Sequence, residues 1–321
     1  MDNPRYDFNK IIGNETIIKS IKTAAKNGHV SHAYIVNGPA GGGKKLLSLT
    51  FAKAVLCGNT DTGDACDLCK SCKTLEAGSH PDVVFVRPAK KSLGVDDIRE
   101  QVVEGAAIMP YSSARRVFII ENADLMTPQA QNALLKTLEE PRHCVFFLLS
   151  QNCDAFLPTI ISRCVVYKIA PLSAAAVQNH LIAKGFDPDV AQTAAKHAGG
   201  AIGRGEVIAA DKDFADLHKV ITSLAEEVGD KDIPAIFEAA KALEAYKDRI
   251  EDALDMLCQY YRDVLVNKSI QAKLVPGNSY IKGLVRKIDI TNDARQKLKR
   301  NCNFLLTMEV MLLKLAEADH T

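Results

Sequence analysis

The run Gly38-Pro39-Ala40-Gly41-Gly42-Gly43-Lys44-Lys45 fits the phosphate-loop pattern G-x-x-x-x-G-K and departs from it at the last position, where Ser or Thr is expected. Glycines let backbone N–H groups wrap an anion, the N-terminus of a following helix adds about half a positive charge, and Lys44 can reach outer phosphates. Gly38, Gly41, Gly43, Lys44 and Lys45 are therefore the candidate contacts for ATP or ADP. A hydrolysing loop needs a hydroxyl after the lysine to hold Mg2+, and a second lysine repels that cation. Phosphate binding is physically open to this loop, while hydrolysis is in doubt. A glycine-rich turn with no ligand is the alternative reading.

Four cysteines follow. Cys57, Cys66, Cys69 and Cys72 read C-x8-C-x2-C-x2-C, and a C-x2-C pair sets two thiolates on one tight turn, as tetrahedral Zn2+ requires. Asn59, Asp61, Gly63 and Asp64 make the intervening segment a turn-rich loop without apolar periodicity, which calls for an external staple. No basic recognition helix follows, so a structural metal site fits better than a nucleic-acid finger. Four unligated thiols are the other reading. His80 lies close by, but four cysteines already complete a closed site, and His80-Pro81 reads as the opening of a loop.

A third position bears on the first. Val117-Phe118-Ile119-Ile120 is followed by Glu121-Asn122. Phosphate-loop ATPases commonly end such a run in an Asp that helps hold Mg2+, and many add a Glu that polarises the attacking water. Glu121 is a methylene longer than the usual metal contact, and Asn122 is no base. Together with Lys45, the hydroxyl, the aspartate and the base are all missing.

The elements that must carry these residues change character near residue 170. Before it, apolar runs alternate with helical patterns. Ala33–Asn37, Asp82–Val86, Arg116–Ile120, Val145–Leu149 and Cys164–Tyr167 read as strands, Leu46–Leu56 as an amphipathic helix, and Val95–Glu104 as a helix. Thr127 is a natural N-cap, Pro128 suits the first helical position, and Pro141 stops that helix. This grammar is α/β with a mostly parallel sheet covered by helices. Beyond it only helical periods appear, with Leu172–Lys184 and Asp187–Ala198 as a small unit and 214–315 as longer helices.

A chain of 321 residues that is 47% hydrophobic can bury a sizeable core in two or three domains. A net charge of +1 gives no global field toward nucleic acid or an anionic membrane. Met1–Arg5 begins without an apolar leader, and no stretch reaches the eighteen or so apolar residues of a membrane span. The expectation is a soluble, cytoplasmic protein. Cys144, Cys153, Cys164, Cys258 and Cys302 are scattered singly, unlike a disulfide framework.

The run Asn132-Ala133-Leu134-Leu135-Lys136-Thr137-Leu138-Glu139-Glu140-Pro141, followed by Leu157-Pro158-Thr159-Ile160-Ile161-Ser162-Arg163-Cys164, resembles the bacterial clamp-loader AAA+ subunits of DNA polymerase III. Ile11-Ile12-Gly13-Asn14 and His32-Ala33-Tyr34 join the resemblance, which covers residues 8 to about 205 by motif and the remainder by architecture alone. Within that family the delta-prime branch is the nearer match. The motor branch, gamma/tau, shares the cysteine spacing and the Ser-Arg-Cys segment but keeps the nucleotide motifs missing here.

The resemblance implies an AAA+ phosphate-loop domain over 1–169 with a zinc module at 57–72, a helical lid over 170–212 and an all-α collar over 213–321. It implies a non-hydrolysing subunit that presents Arg163 in trans, as an arginine finger, to ATP on a neighbouring motor subunit. Its partners would be gamma/tau and delta subunits in a hetero-oligomer that loads the sliding clamp onto primer-template DNA. The same resemblance puts Ser150, Gln151 and Asn152 where γ-phosphate is sensed, and Arg204 near a second sensor position. An active motor subunit of the same fold is the runner-up reading, and a zinc-dependent nucleic-acid module is a third. In the collar region Leu298, Cys302, Leu305, Leu306, Val310 and Leu313 recur at near-helical spacing. Lys282, Arg286, Lys287, Arg295, Lys297, Lys299 and Arg300 form a basic stretch, either a solvated helix face or a phosphate contact.

Overall fold

The computed structural model describes residues 6–60, 62–88, 92–272 and 279–318, with side chains of 267–272 and 279 excepted. The readings of Met1–Arg5 and Asp61 fall outside these residues. Five strands form one parallel sheet in the order β2-β3-β4-β1-β5: β1 Ala33–Asn37, β2 Val83–Val86, β3 Arg116–Ile120, β4 Cys144–Ser150 and β5 Val165–Lys168. Parallel neighbours need long crossovers, and helices supply them, so both faces of the sheet are covered.

Period-two alternation sorts the strand residues onto two cores. Tyr34, Val36, Val117, Ile119, Val145 and Phe147 face one of them. Ala33, Ile35, Phe118, Ile120, Phe146 and Leu148 face the other. The first core is aromatic at its centre, where the Tyr34 ring stacks on Phe147 at 5.4 Å and on Tyr167 at 5.6 Å, with Phe51 edge-on to Tyr34. Central β4 is buried along its whole length, while edge strand β5 is not.

Three helices frame the candidate chemistry: α1 Glu15–Lys26, α2 Lys44–Leu56 and α3 Lys70–Glu76. The expected amphipathic face of α2 is a correction to the sequence reading. From Leu47 to Leu56 every residue except Val55 is buried, Ser48 and Lys53 included, because α2 is covered by the sheet on one side and the cysteine loop on another. The helical stretch after β2 runs α-helical at Val95–Ile98 and Glu104–Ala107 with a π turn at Arg99–Val103 between them. The helix Pro128–Glu139 starts as expected: the Thr127 hydroxyl accepts from the Ala130 N–H at 3.2 Å.

The chain divides into two compact units, one of Met1–His180 with Ala198–Arg204, the other of Leu181–His197 with Gly205–Thr321. Residues 170–212 contribute to both. In the second unit, Lys212–Glu227, Ile233–Ala242, Ile250–Ala272, Ser279–Lys299 and Phe304–Glu317 are helical. The expected apolar face across 298–313 is not one helical face. A break at Arg300–Asn303, with Asn301 at φ 60°, separates Leu298 and Cys302 from the last helix. That helix packs inward through Met308, Met311, Leu312 and Leu315, leaving Leu306 59% exposed. The basic stretch is largely paired within the unit: Arg295 meets Asp255 at 2.5 Å, Lys297 meets Asp293 at 2.8 Å, and Lys287 is buried with its ammonium over the Tyr261 ring.

Candidate functional site

All the candidate site residues lie in the first unit. Between β1 and α2 the glycine loop turns through Gly41 at φ 71° and Gly43 at φ 84°, left-handed conformations that favour glycine. Gly43 stands just ahead of the helix N-terminus. The loop is fixed at two points. Gly38 N–H donates to the Ser150 carbonyl at 3.1 Å, and the Gly41 carbonyl accepts from Gly203 N–H at 2.9 Å. Any Cβ on Gly41 would stand 2.5 Å from the Arg204 backbone nitrogen. The segment carrying Arg204 thus meets the loop through its backbone. The Lys44 ammonium donates to the carbonyls of Gly38 and Pro39, each at 2.7 Å. Burial lowers its pKa, and nearby Asp124 works against that.

Lys45 points to β3. Its ammonium is 2.9 Å from Glu121 Oε1, which Arg87 Nε also reaches at 3.2 Å, with both cations near the Phe85 ring. Burial would raise the Glu121 pKa, but the two cations more than offset it and hold the carboxyl below its usual range. Asn122 takes a left-handed turn at φ 51° and leads into Ala123–Leu125. Ser150 and Asn152 have structural partners: Ser150 Oγ donates to Asn37 Oδ1 at 2.8 Å, and Asn152 caps the turn at Cys153–Ala155. Gln151 N–H donates to Asp124 Oδ2 at 3.2 Å.

Arg163 follows the short helix Pro158–Ile161. Its guanidinium, with 34% of the side chain exposed, meets Glu139 Oε1 at 2.6 Å and the Thr159 carbonyl at 2.9 Å. The segment is anchored by Gln131, a buried residue that the sequence reading passed over. Its amide donates to the Ala155 carbonyl at 2.9 Å and the Met126 carbonyl at 3.3 Å, and it accepts from Leu157 N–H at 2.7 Å. Burial pushes the neighbouring Cys164 thiol up to about 12.

The four cysteines converge. Their sulfur atoms lie within 4.8 Å of one another, with Cys57 and Cys69 4.0 Å apart, and every cysteine is a free thiol. A tetrahedral zinc with Zn–S bonds of about 2.3 Å needs sulfurs about 3.8 Å apart, so this donor set fits. Backbone N–H groups of Asn59 and Cys66 point at Cys57 Sγ, at 3.4 and 3.3 Å, and that of Cys72 at Cys69 Sγ, at 3.5 Å. Such donors stabilise thiolates and orient ligands. Burial pushes the Cys57 and Cys72 thiols up, whereas N–H groups of Leu68 and Cys69 bring Cys66 down to about 6.

His80 is not among the donors. Its Nδ1 accepts from Asp82 N–H at 3.1 Å, so Nε2 carries the proton toward Ser71 Oγ at 3.1 Å and Ser113 Oγ at 3.3 Å. Buried Asp82 accepts from the N–H groups of Tyr111, Ser112 and Ser113. Lys53, inside α2, is buried between Asp67 and Glu76. No sequence motif marks Lys53, Asp82 or Gln131, and Glu139 stood within a quoted motif without a role assigned to it. The signal available for Lys53 was a lone charge within an otherwise apolar helix.

The family profile described as DNA polymerase III, delta subunit, matches residues 13–173, half of the chain. The chain belongs to this delta-subunit family. Two of its similar relatives are delta-prime subunits. That of Bacillus subtilis is 28% identical over 94% of this chain and 95% of its own length. That of Pseudomonas aeruginosa is 39% identical over half of each chain. The tau subunit of Bacillus subtilis is 28% identical over 98% of this chain, which spans 62% of tau's length. The family's matched segment contains the glycine loop, all four clustered cysteines and Arg163.

Proposed function

We propose that this chain is a delta-prime-type, non-hydrolysing stator subunit of a DNA polymerase III clamp loader, which donates Arg163 in trans to ATP on a neighbouring subunit. The observation that carries the reading is the Lys45–Glu121 ion pair at 2.9 Å. A hydrolysing site would use a hydroxyl and a carboxylate from these two segments to hold Mg2+. Here an ammonium already compensates the carboxylate, and Asn122 offers no base. Arg163 remains useful to another site. Its planar, permanently charged fork suits a γ-phosphate, for which it would exchange Glu139, and such a finger contributes on the order of 10³-fold or more to phosphoryl transfer.

In this reading residues 1–169 are an AAA+ phosphate-loop domain, 170–212 a lid and 213–321 a collar for assembly with gamma/tau and delta subunits. Cys57, Cys66, Cys69 and Cys72 hold a structural zinc, which supplies a closed cross-link and no open coordination position. The sliding clamp and primer-template DNA are reached through the complex, in the cytoplasm. Among the described residues no helix is long and apolar enough to cross a membrane.

A second reading, an active motor subunit, is favoured by the preserved glycine loop and by the likeness to tau along nearly the whole chain. ATP turnover separates the two. The stator reading expects none from the purified protein, and a DNA-stimulated rate in the assembled complex that falls sharply with Arg163→Ala while assembly is kept. Robust turnover by the protein alone favours the motor; an unchanged complex rate in that variant removes the finger.

A further inference from the structure

We infer that Lys53 is the positioning residue of the cysteine centre: its buried ammonium ties together the three segments that supply the sulfurs and makes their acidic surroundings compatible with a thiolate-bound metal. The inference rests on the four cysteines taking zinc.

Lys53 lies in α2 four positions before Cys57, one helical turn away. Its side chain is fully buried, and its Nζ is held by Asp67, Glu76 and the Tyr6 carbonyl at 3.2 Å. Asp67 directly follows Cys66, in a left-handed turn at φ 58° that aspartate tolerates. Glu76 ends α3, four positions after Cys72, and also accepts from Tyr6 N–H at 3.1 Å. Each sulfur-bearing segment therefore contributes one member of a single charged cluster. The loop has further ties to α1, through the Lys22–Asp64 pair at 2.8 Å and through Gly63, where a Cβ would stand 2.3 Å from the Lys22 carbonyl oxygen. Neither of these ties reaches α2.

Charge decides what Lys53 does there. When four thiols bind Zn2+, four protons leave and the centre becomes a Zn(S)4 group of charge −2. Without Lys53, two carboxylates next to the ligand segments would have no buried counter-ion, and each would oppose that gain of negative charge. Burial alone would favour neutral Lys53, but the two carboxylates outweigh it and keep the ammonium charged. The apolar stem of the same side chain is buried with its ammonium, so one residue joins packing to electrostatics.

The test is zinc affinity of the full chain, measured by chelator competition, with Co2+ absorption reporting tetrahedral thiolate coordination. Lys53→Met is expected to weaken Zn2+ binding about tenfold or more, in the range of outer-shell partners of metal sites. The triple variant K53M/D67N/E76Q, which removes all three charges together, should recover most of that loss. A purely packing role for Lys53 predicts no such recovery. If Lys53→Met does not fold, Lys53→Gln takes its place with the same expectation. Zinc affinity within twofold of the parent in the single variant, or a triple variant no better than the single one, overturns the inference while leaving the zinc reading intact. Failure of the parent chain to take up zinc overturns both.

Discussion

Lys45 and Glu121 are joined by an ion pair of 2.9 Å, although one lies in the first turn of α2 and the other directly follows the third strand. Each departs from the hydrolysing pattern, and each supplies the charge the other needs. Lys45→Thr would restore the missing hydroxyl while leaving Glu121 to Arg87. The pair is partly exposed, so stability should change by no more than about 1 kcal/mol in denaturant titrations. Phosphate release by the isolated variant should stay at background, since Asn122 still cannot polarise water. Turnover gained by this one substitution would show that Glu121 can serve as the catalytic carboxylate.

Gln131 organises the approach to Arg163 from beneath. Gln131→Leu keeps the volume but strands the Leu157 N–H and the Met126 and Ala155 carbonyls. A cost on the order of 3 kcal/mol is expected in chemical denaturation, because buried polar groups lose their partners. Cys164 should also become more reactive toward alkylating reagents as the Pro158–Ile161 turn loosens. Parent-like stability together with a protected Cys164 would remove Gln131 from the anchoring role.

The sequence made the sheet and the motifs legible for a common reason: their information is local. Buried parallel strands are continuous apolar runs, so β1 and β3 were read to the residue, and glycine and cysteine spacings announce turns directly. Lys53, Asp82 and Gln131 are lone polar residues that bond to Asp67, Ser113 and Leu157, 14, 31 and 26 positions away, and no short window contains both ends of these contacts. The apolar face expected across 298–313 failed for a different reason. Its helical period continued numerically through Arg300–Asn303, where Asn301 turns left-handed without any Gly or Pro to flag the break.

The loop's seat against Gly203 gives a backbone prediction. Gly41→Ala meets two penalties, a left-handed φ and a Cβ 2.5 Å from the Arg204 nitrogen. A loss of at least about 1 kcal/mol is expected. Gly43→Ala shares the positive φ but has open space around its Cβ, so it should cost less. Equal losses at the two positions would mean that the Gly41–Gly203 contact contributes nothing in solution.

Asp82 should dominate a specific acid limb of the stability profile. Burial opposes its charge, yet three backbone N–H groups and the Ser112 hydroxyl, the last at 3.0 Å, hold its pKa below the usual carboxylate range. A depressed folded pKa means stability that is complete above the unfolded value of about 3.9 and is lost as pH falls through the lower folded value. His80 acts in a separate window. Burial depresses its pKa as well, so the unfolded chain takes up its proton first and stability declines as pH drops below about 6.5. Asp82→Asn should cost on the order of 2 kcal/mol at neutral pH and flatten the limb below about pH 4 while leaving the histidine limb in place. Urea midpoints measured from about pH 3 to about pH 7 on both proteins test this. An unchanged slope below about pH 4 in the variant would assign acid sensitivity to other carboxylates and reduce Asp82 to a neutral hydrogen-bond acceptor.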